Sequence, residues 1–259
     1  MKRYFIYIFL AAVCLSMSVT GRAATFADES LNYKVMYKWG LINKQAGHAT
    51  LTLRNVGKEY QMKLTAASEK WADAFYKVRD TLEGRVDIAT FRPIVYKKMS
   101  HEGGETRIDV VNFQYPAGNK VVGKTRRRQW DKKNELKIDR TQILEAEGTT
   151  VDMLWSFYYM RRMAFPSFKV GHSEKINIFS GKRKEILTIT YLGEETIDID
   201  GKNYSTYHIS FSFTDPNSPK KETSDPMEAW ISTDASRIPL KLEGKLRVGK
   251  VQCYFTGRD

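Results

Sequence analysis

Along residues 31–39 every second side chain is apolar or aromatic. Leu31, Tyr33, Val35, Tyr37 and Trp39 fall on one face of an extended chain, and Asn32, Lys34, Met36 and Lys38 fall on the other. A strand sends successive side chains to opposite faces, so this spacing describes a strand with one dry and one wet side. Similar runs are read at Gly47 to Asn55, Glu59 to Ala67, Asp80 to Asp87, Ile94 to His101, Thr106 to Tyr115 and Lys120 to Trp130. The second half continues with Glu174 to Phe179, Lys184 to Tyr191, Lys202 to Phe213, Met227 to Ser232, Leu240 to Leu246 and Val248 to Thr256. Short polar stretches such as Asn55-Val56-Gly57-Lys58 and Pro116-Ala117-Gly118-Asn119 separate them, and connections this short join antiparallel neighbours.

Two segments depart from the pattern. Glu69 to Val78 places Trp71, Ala74, Phe75 and Val78 at helical spacing, enough for a short helix. A longer helix is expected from about Val151 to Phe165, with Thr149 or Thr150 as cap, Asp152 in the first turn, Arg161 and Arg162 near the end and Pro166 as stop. Leu154, Trp155, Phe157, Tyr158, Met160, Met163 and Phe165 leave little of its circumference polar, so it must be buried, and it is too short to span a membrane. The expected fold class is mainly β: a large curved antiparallel sheet or barrel, with one long buried helix across it and one short helix. A single antiparallel domain over residues 24–259 is expected. The alternative is two smaller sheets meeting near residues 140–150, and no internal repeat favours it.

Met1-Lys2-Arg3, an apolar run from Tyr4 to about Met17 and the close Gly21-Arg22-Ala23 read as a signal peptide over residues 1–23. Cys14 lies inside the run between Val13 and Leu15, which argues against lipid attachment there. Cys253 is then the one cysteine of the mature chain, so no internal disulfide forms, and its apolar strand marks it as a buried small hydrophobe. The formal charge is +12, of which Lys2, Arg3 and Arg22 supply three. In an exported, periplasmic protein that excess points to anionic membrane surfaces and envelope glycans, and nucleic acid is not expected as a partner.

Chemical motifs are sparse. His48, His101, His172 and His208 occur singly, without the short spacing of a zinc site. No Gly-x-Ser-x-Gly elbow is present, and Cys253 has no catalytic motif around it. Glu83, Asp87, Glu145, Glu147 and Asp152 are available as paired acids for an envelope hydrolase, which stays open as one alternative. A structural or assembly protein docking on an envelope partner is another. The leading expectation is a non-enzymatic binder, without cofactor or metal, that holds a lipid or amphiphilic envelope component. Aromatic richness carries it, with Trp39, Trp155, Tyr158 and Tyr159 as candidate cavity residues.

The segment Lys124-Thr125-Arg126-Arg127-Arg128-Gln129-Trp130 is the most basic in the chain, and Arg126, Arg127 and Arg128 are candidates for contact with an anionic surface. Alternation puts Arg126, Arg128 and Trp130 on one face and Thr125, Arg127 and Gln129 on the other. Charges on both faces predict a sheet edge, in a hairpin that sets Asp109 opposite Arg126.

Several stretches together resemble a family of uncharacterised exported bacterial proteins, a domain of unknown function in Gram-negative groups. They are Glu29-x-Leu31-x-Tyr33-x-Val35-x-Tyr37 with Trp39-Gly40, then Ala46-Gly47, Asp152 with Tyr158 and Arg161, Val170-Gly171, and Trp230-Ile231-Ser232-x-Asp234-x-x-Arg237-Ile238-Pro239. The resemblance implies a mostly antiparallel, barrel-like envelope protein, similar in shape to periplasmic lipoprotein carriers and lipid-binding half-barrels. It implies no activity to carry onto particular residues. In the last motif Asp234 and Arg237 are placed to pair across a turn.

Overall fold

The computed structural model of the protein describes residues 25–222, 226–246 and 248–259. The expected leader, with Cys14, lies outside them. The first half of the chain forms eight strands: β1 Glu29–Trp39, β2 Ile42–Val56, β3 Glu59–Ser68, β4 Val78–Asp87, β5 Pro93–Glu102, β6 Glu105–Gln114, β7 Lys120–Trp130 and β8 Leu136–Glu147. The second half adds β9 Thr150–Val151, β10 Ser173–Phe179, β11 Lys184–Ile199, β12 Lys202–Asp215, β13 Ser218–Glu222, β14 Met227–Ser232, β15 Pro239–Lys245 and β16 Lys250–Arg258. Helix α1 spans Lys70–Tyr76, α2 spans Trp155–Arg161, and a 3-10 turn covers Phe165–Ser167.

All sixteen strands belong to one sheet. β8 back to β1 lie side by side, β1 pairs with β16, and the path continues through β15, β14, β12, β11 and β10 to β9, with β13 beside β12. Every pairing is antiparallel except that of β9 with β10. The sheet curls into a nearly closed barrel because its two ends are consecutive in the chain: Gly148 and Thr149 alone separate β8 from β9. Across this seam the Asn177 backbone N–H donates to the Thr149 carbonyl at 2.9 Å. The Asn177 amide donates to the Glu147 carbonyl at 2.9 Å and the Gln142 amide to the Lys182 carbonyl at 2.7 Å. Phe179 packs on the inner face of β7 where the residue is Gly123; a Cβ there would stand 2.5 Å from the ring.

Inward alternation makes the core. Leu31 and Tyr33 on β1, Leu51 and Leu53 on β2, Tyr60 and Met62 on β3, and Ile209 and Phe211 on β12 are all buried. Such side chains contribute roughly 1.5–3 kcal/mol each when fully buried. Cys253 faces the same interior, half-buried and unpaired, and desolvation pushes its thiol up to about 11.

Two expectations are corrected. The long buried helix is absent: α2 is buried but has seven residues. Thr150 and Val151 pair with Asn177 and Ile178, which takes the expected first turn into the sheet. Asp152 then starts the helix, its Oδ1 accepting the N–H groups of Leu154 and Trp155 at 2.8 Å each. At the other end Ala164 leaves helical geometry, and Pro166 sits in the separate 3-10 turn. The arginine-rich strand β7 is likewise not an edge, because β8 covers it along its whole length. Its register against β6 sets Asp109 opposite Arg127, one residue away from the expected pairing with Arg126.

Candidate functional site

The barrel has two different ends. At the end where β1 finishes and β2 begins, the inner row of β1 runs out of the packed core through Val35 and Tyr37 to Trp39, and lines a cavity of about 560 Å³. Val251, opposite Tyr37 on β16, and the small side chains Ala46 and Ala66 complete its strand walls. Alanines occupy positions where β1 carries aromatics, so the space stays open. Trp71, Ala72, Phe75 and Tyr76 of α1 close one side.

Helix α1 is held by polar contacts at its base. Asp73 forms a two-point ion pair with Arg79, at 2.7 and 3.0 Å, and accepts the Ser68 hydroxyl. These hydrogen bonds, Arg79 first, hold the Asp73 carboxyl below its ordinary value. The Trp71 indole N–H donates to the Gln45 carbonyl at 2.7 Å, and Lys44 lies 4.6 Å over its ring. No residue of α1 is buried. Phe75 is 84% exposed, Leu41 fully exposed and Trp39 55% exposed, so the rim of the cavity is an apolar patch open to solvent. Lys44 lies at this rim over Trp71, and the exposed Lys38, Lys70 and Lys245 are the chain neighbours of the lining residues Trp39, Trp71 and Leu246.

The opposite end is plugged. Trp155 of α2 stacks on Tyr60, Phe91 and Tyr158 with centroids 5.5–6.1 Å apart. Beside this cluster Arg161, 3% exposed, pairs with Glu29, 4% exposed. The same guanidinium donates to the carbonyls of Ser236 at 2.9 Å and Arg237 at 3.0 Å, and lies 4.8 Å over the Phe26 ring. The motif residues Glu29, Tyr158, Arg161 and the turn at residues 234–237 thus meet in one buried knot that ties α2 to both β1 and the β14–β15 turn. Asp234 caps its own turn by accepting from Ser236 at 2.7 Å. Arg237 turns away from it to lie 4.4 Å over Tyr207, so the expected Asp234–Arg237 pair is not formed.

Among the residues expected at a cavity, Trp39 stands at the open one. Trp155 and Tyr158 build the plug, where Trp155 also touches a smaller chamber of about 310 Å³ that Tyr159 lines. Arg126, Arg127 and Arg128 do not form one patch. Arg126 makes a two-point pair with Asp139 at 2.8 and 2.9 Å, and Arg128 lies 5.6 Å over Trp130. Arg127 points into the barrel and faces Asp109 at 3.6 Å.

That inward pair belongs to a charged wall that the sequence reading missed. Asp80, Lys98, Glu102, Arg107, Asp109 and Arg127 all occupy inward positions of β4–β7. Lys98 lies 3.7 Å from Asp80 and 3.5 Å from Glu102, and Arg107 lies 2.7 Å from Glu105. Burial, with Glu102 alongside, pushes Asp80 up to about 6, and burial raises Asp109 as well. The available signal was the strict period of two in Lys98, Ser100 and Glu102. Tyr76 joins the two halves of the interior: it lines the apolar cavity, and its hydroxyl donates to Glu102 at 3.4 Å. No group of three or more His, Cys, Asp or Glu suited to a metal ion occurs among the described residues, and none of their helices is long and apolar enough to cross a membrane.

The family model of a protein of unknown function, DUF3108, matches residues 32–256. The chain belongs to this family. None of the curated proteins matches it. Among solved structures, a β-barrel-like protein of the domain of unknown function DUF1849 from Brucella abortus is similar with a TM-score of 0.60 at 10% identity. That match covers 92% of this chain and 99% of that one. It shows a shared barrel-like fold. Weaker likenesses are a Bacteroides fragilis protein with a YmcC-like fold, with TM-score 0.37, 6% identity, and 91% and 97% of the two chains covered, and the Mycobacterium tuberculosis lipoprotein LppX, with TM-score 0.25, 14% identity, and 88% and 84% covered.

Proposed function

We propose that this chain is an exported, non-enzymatic binder of an amphiphile, whose apolar part occupies the mouth cavity of the barrel. One observation carries the reading: about 560 Å³ of space bounded by Val35, Tyr37, Ala66, Trp71, Phe75 and Val251. A volume of that order is typical of small-ligand sites. Each methylene withdrawn from water there is worth about 0.8 kcal/mol. The apolar rim and its lysines suit exchange of such a ligand with an anionic lipid surface.

The test is mass spectrometry of apolar material released from the chain produced from Ala24, followed by competition with a fluorescent fatty acid. Ala66→Trp puts an indole into the cavity and is expected to abolish retention and probe binding while the far-UV spectrum is unchanged. Full probe binding by Ala66→Trp would remove the reading.

A further inference from the structure

The smaller chamber, at the plugged end, holds cations that the protein leaves without counter-ions. It lies between the β4–β5 turn, the start of β7, the β8–β9 link and α2. Arg162, the residue that caps the C-terminus of α2, is half-buried; its Cζ lies 3.5 Å over the centre of the Phe91 ring, and its Nε is buried without a hydrogen-bond partner. Desolvation lowers its pKa, and the groups acting on it electrostatically are Tyr60 and Tyr159, with no carboxylate among them. Arg92, on the rim, stacks 4.8 Å over Tyr115.

The carboxylates of the neighbourhood are engaged elsewhere. Glu145 pairs with Lys120 at 3.0 Å, Glu174 accepts the Tyr159 hydroxyl at 2.9 Å, and Asp152 accepts backbone N–H groups of α2. No carboxylate of the described residues forms an ion pair with Arg92 or Arg162. The loop between them is held in an unfavourable shape: Phe91 adopts φ 56°, in the left-handed region that side-chain-bearing residues avoid. Thr90 fixes it by donating its N–H and hydroxyl to Asp87 at 2.8 and 2.7 Å. The turn thereby puts the Phe91 ring under one guanidinium and carries the other on the next residue.

A guanidinium drawn out of water without an anion is costly, whereas two planar donor forks around one space match the oxygens of a phosphate. We propose that this chamber binds a phosphate group, with Arg162 anchoring it from within and Arg92 closing on it from the rim. At about 310 Å³ the space takes the phosphate and a small attached group and excludes a whole lipid. The site opens at the other end of the barrel from the apolar cavity and does not depend on what that cavity binds.

Titration calorimetry of the chain produced from Ala24 tests this with two probes, inorganic phosphate and dihexanoyl phosphatidic acid below its micelle concentration. Saturable one-to-one binding of either is expected; a preference for inorganic phosphate identifies a free source, and a preference for phosphatidic acid a lipid headgroup. Arg92→Gln and Arg162→Gln should each weaken binding at least about tenfold, since each removes a charge-assisted contact. Lys124→Gln, which removes an exposed cation from the outer face of β7 outside the chamber, should change it by less than about threefold. Arg92 is exposed, so its variant keeps the test decisive even where Arg162→Gln fails to fold. Absence of saturable binding for both probes, or affinity unchanged by Arg92→Gln, would overturn the proposal.

Discussion

Replacing Arg161 by methionine takes away one half of a buried ion pair and leaves the other half in place. The Glu29 side chain is 5% exposed and that of Arg161 2% exposed. The substitution also strips the carbonyls of Ser236 and Arg237 of their donors. Breaking such a pair from one side costs about 3–5 kcal/mol, most of it the penalty of the charge left behind. Arg258 softens the loss: it stands 3.3 Å from Glu29, but its side chain is 44% exposed and its attraction is screened. The expected cost is therefore near the lower end, about 3 kcal/mol, or a fall in Tm of roughly 6–12 °C for a chain of this size. Glu29→Gln leaves the guanidinium its two carbonyls and should cost less. The double variant removes both charges, and its cost should fall short of the sum by at least about 1 kcal/mol. Urea unfolding of the four proteins at pH 7 measures this directly. Additive single effects, each below about 1 kcal/mol, would refute the claim that the knot is a desolvated, mutually dependent unit.

Other predictions follow from single residues. Burial pushes Asp152 up to about 7, so between an ordinary unfolded value near 4 and pH 7 the folded chain holds a proton that the unfolded chain lacks. Its contribution to stability is fully present below pH 4 and is lost as pH rises through 7. Asp152→Asn keeps the acceptor for Leu154 and Trp155, so its stability relative to the native chain should improve from pH 5 to pH 8; a difference that does not change over this range refutes the assignment. Trp155→Ala should cost about 3–5 kcal/mol, read from urea midpoints, because it empties the centre of the aromatic plug. Phe75→Ser should leave the urea midpoint within about 0.5 kcal/mol, since the ring is largely exposed, yet weaken fatty-acid probe binding. With its thiol raised to about 11, Cys253 should react with an aromatic disulfide reagent only on unfolding.

Strands were legible where one face is dry. Lys120–Trp130 and Met227–Ser232 coincide with the runs read from alternation, and β3 and β4 extend theirs by one or two residues. β8 was missed because its inner face is dry only near its end, at Leu144 and Ala146, while the inward positions before them carry Arg140 and Gln142 and Ile143 is 55% exposed outside. Polar residues at 140 and 142 thus interrupt the alternation of Leu136, Ile138, Leu144 and Ala146, and the segment was not among the runs read. The helix was over-read for the opposite reason. Leu154 to Phe165 is apolar apart from Ser156, Arg161 and Arg162, and composition cannot tell one buried helix from a strand end, a two-turn helix and a 3-10 turn buried in succession. At the site, Trp39 was found because it continues a clean alternation, whereas Arg127 was misplaced because a charge on an inward position looks like a solvated one until its partner Asp109 is known.

The charged wall inside β4–β7 bears on what the mouth cavity binds. A fully dry interior would be destabilised by Asp80, Lys98, Glu102 and Arg107; their side chains are 13–33% exposed, so they face a space that solvent reaches. An amphiphile whose tail fills the apolar half would have its polar part beside this half, and Tyr76 stands at the boundary. Tyr76→Phe keeps the ring in the cavity and removes the hydroxyl that reaches Glu102. On the amphiphile reading, affinity for a plain alkyl probe should stay within about twofold. Affinity for a probe of equal chain length with a hydrogen-bonding head should fall about three- to tenfold, the value of one ordinary hydrogen bond. Equal losses for both probes would mean that the wall does not meet the ligand, and that the charges of β4–β7 serve the barrel alone.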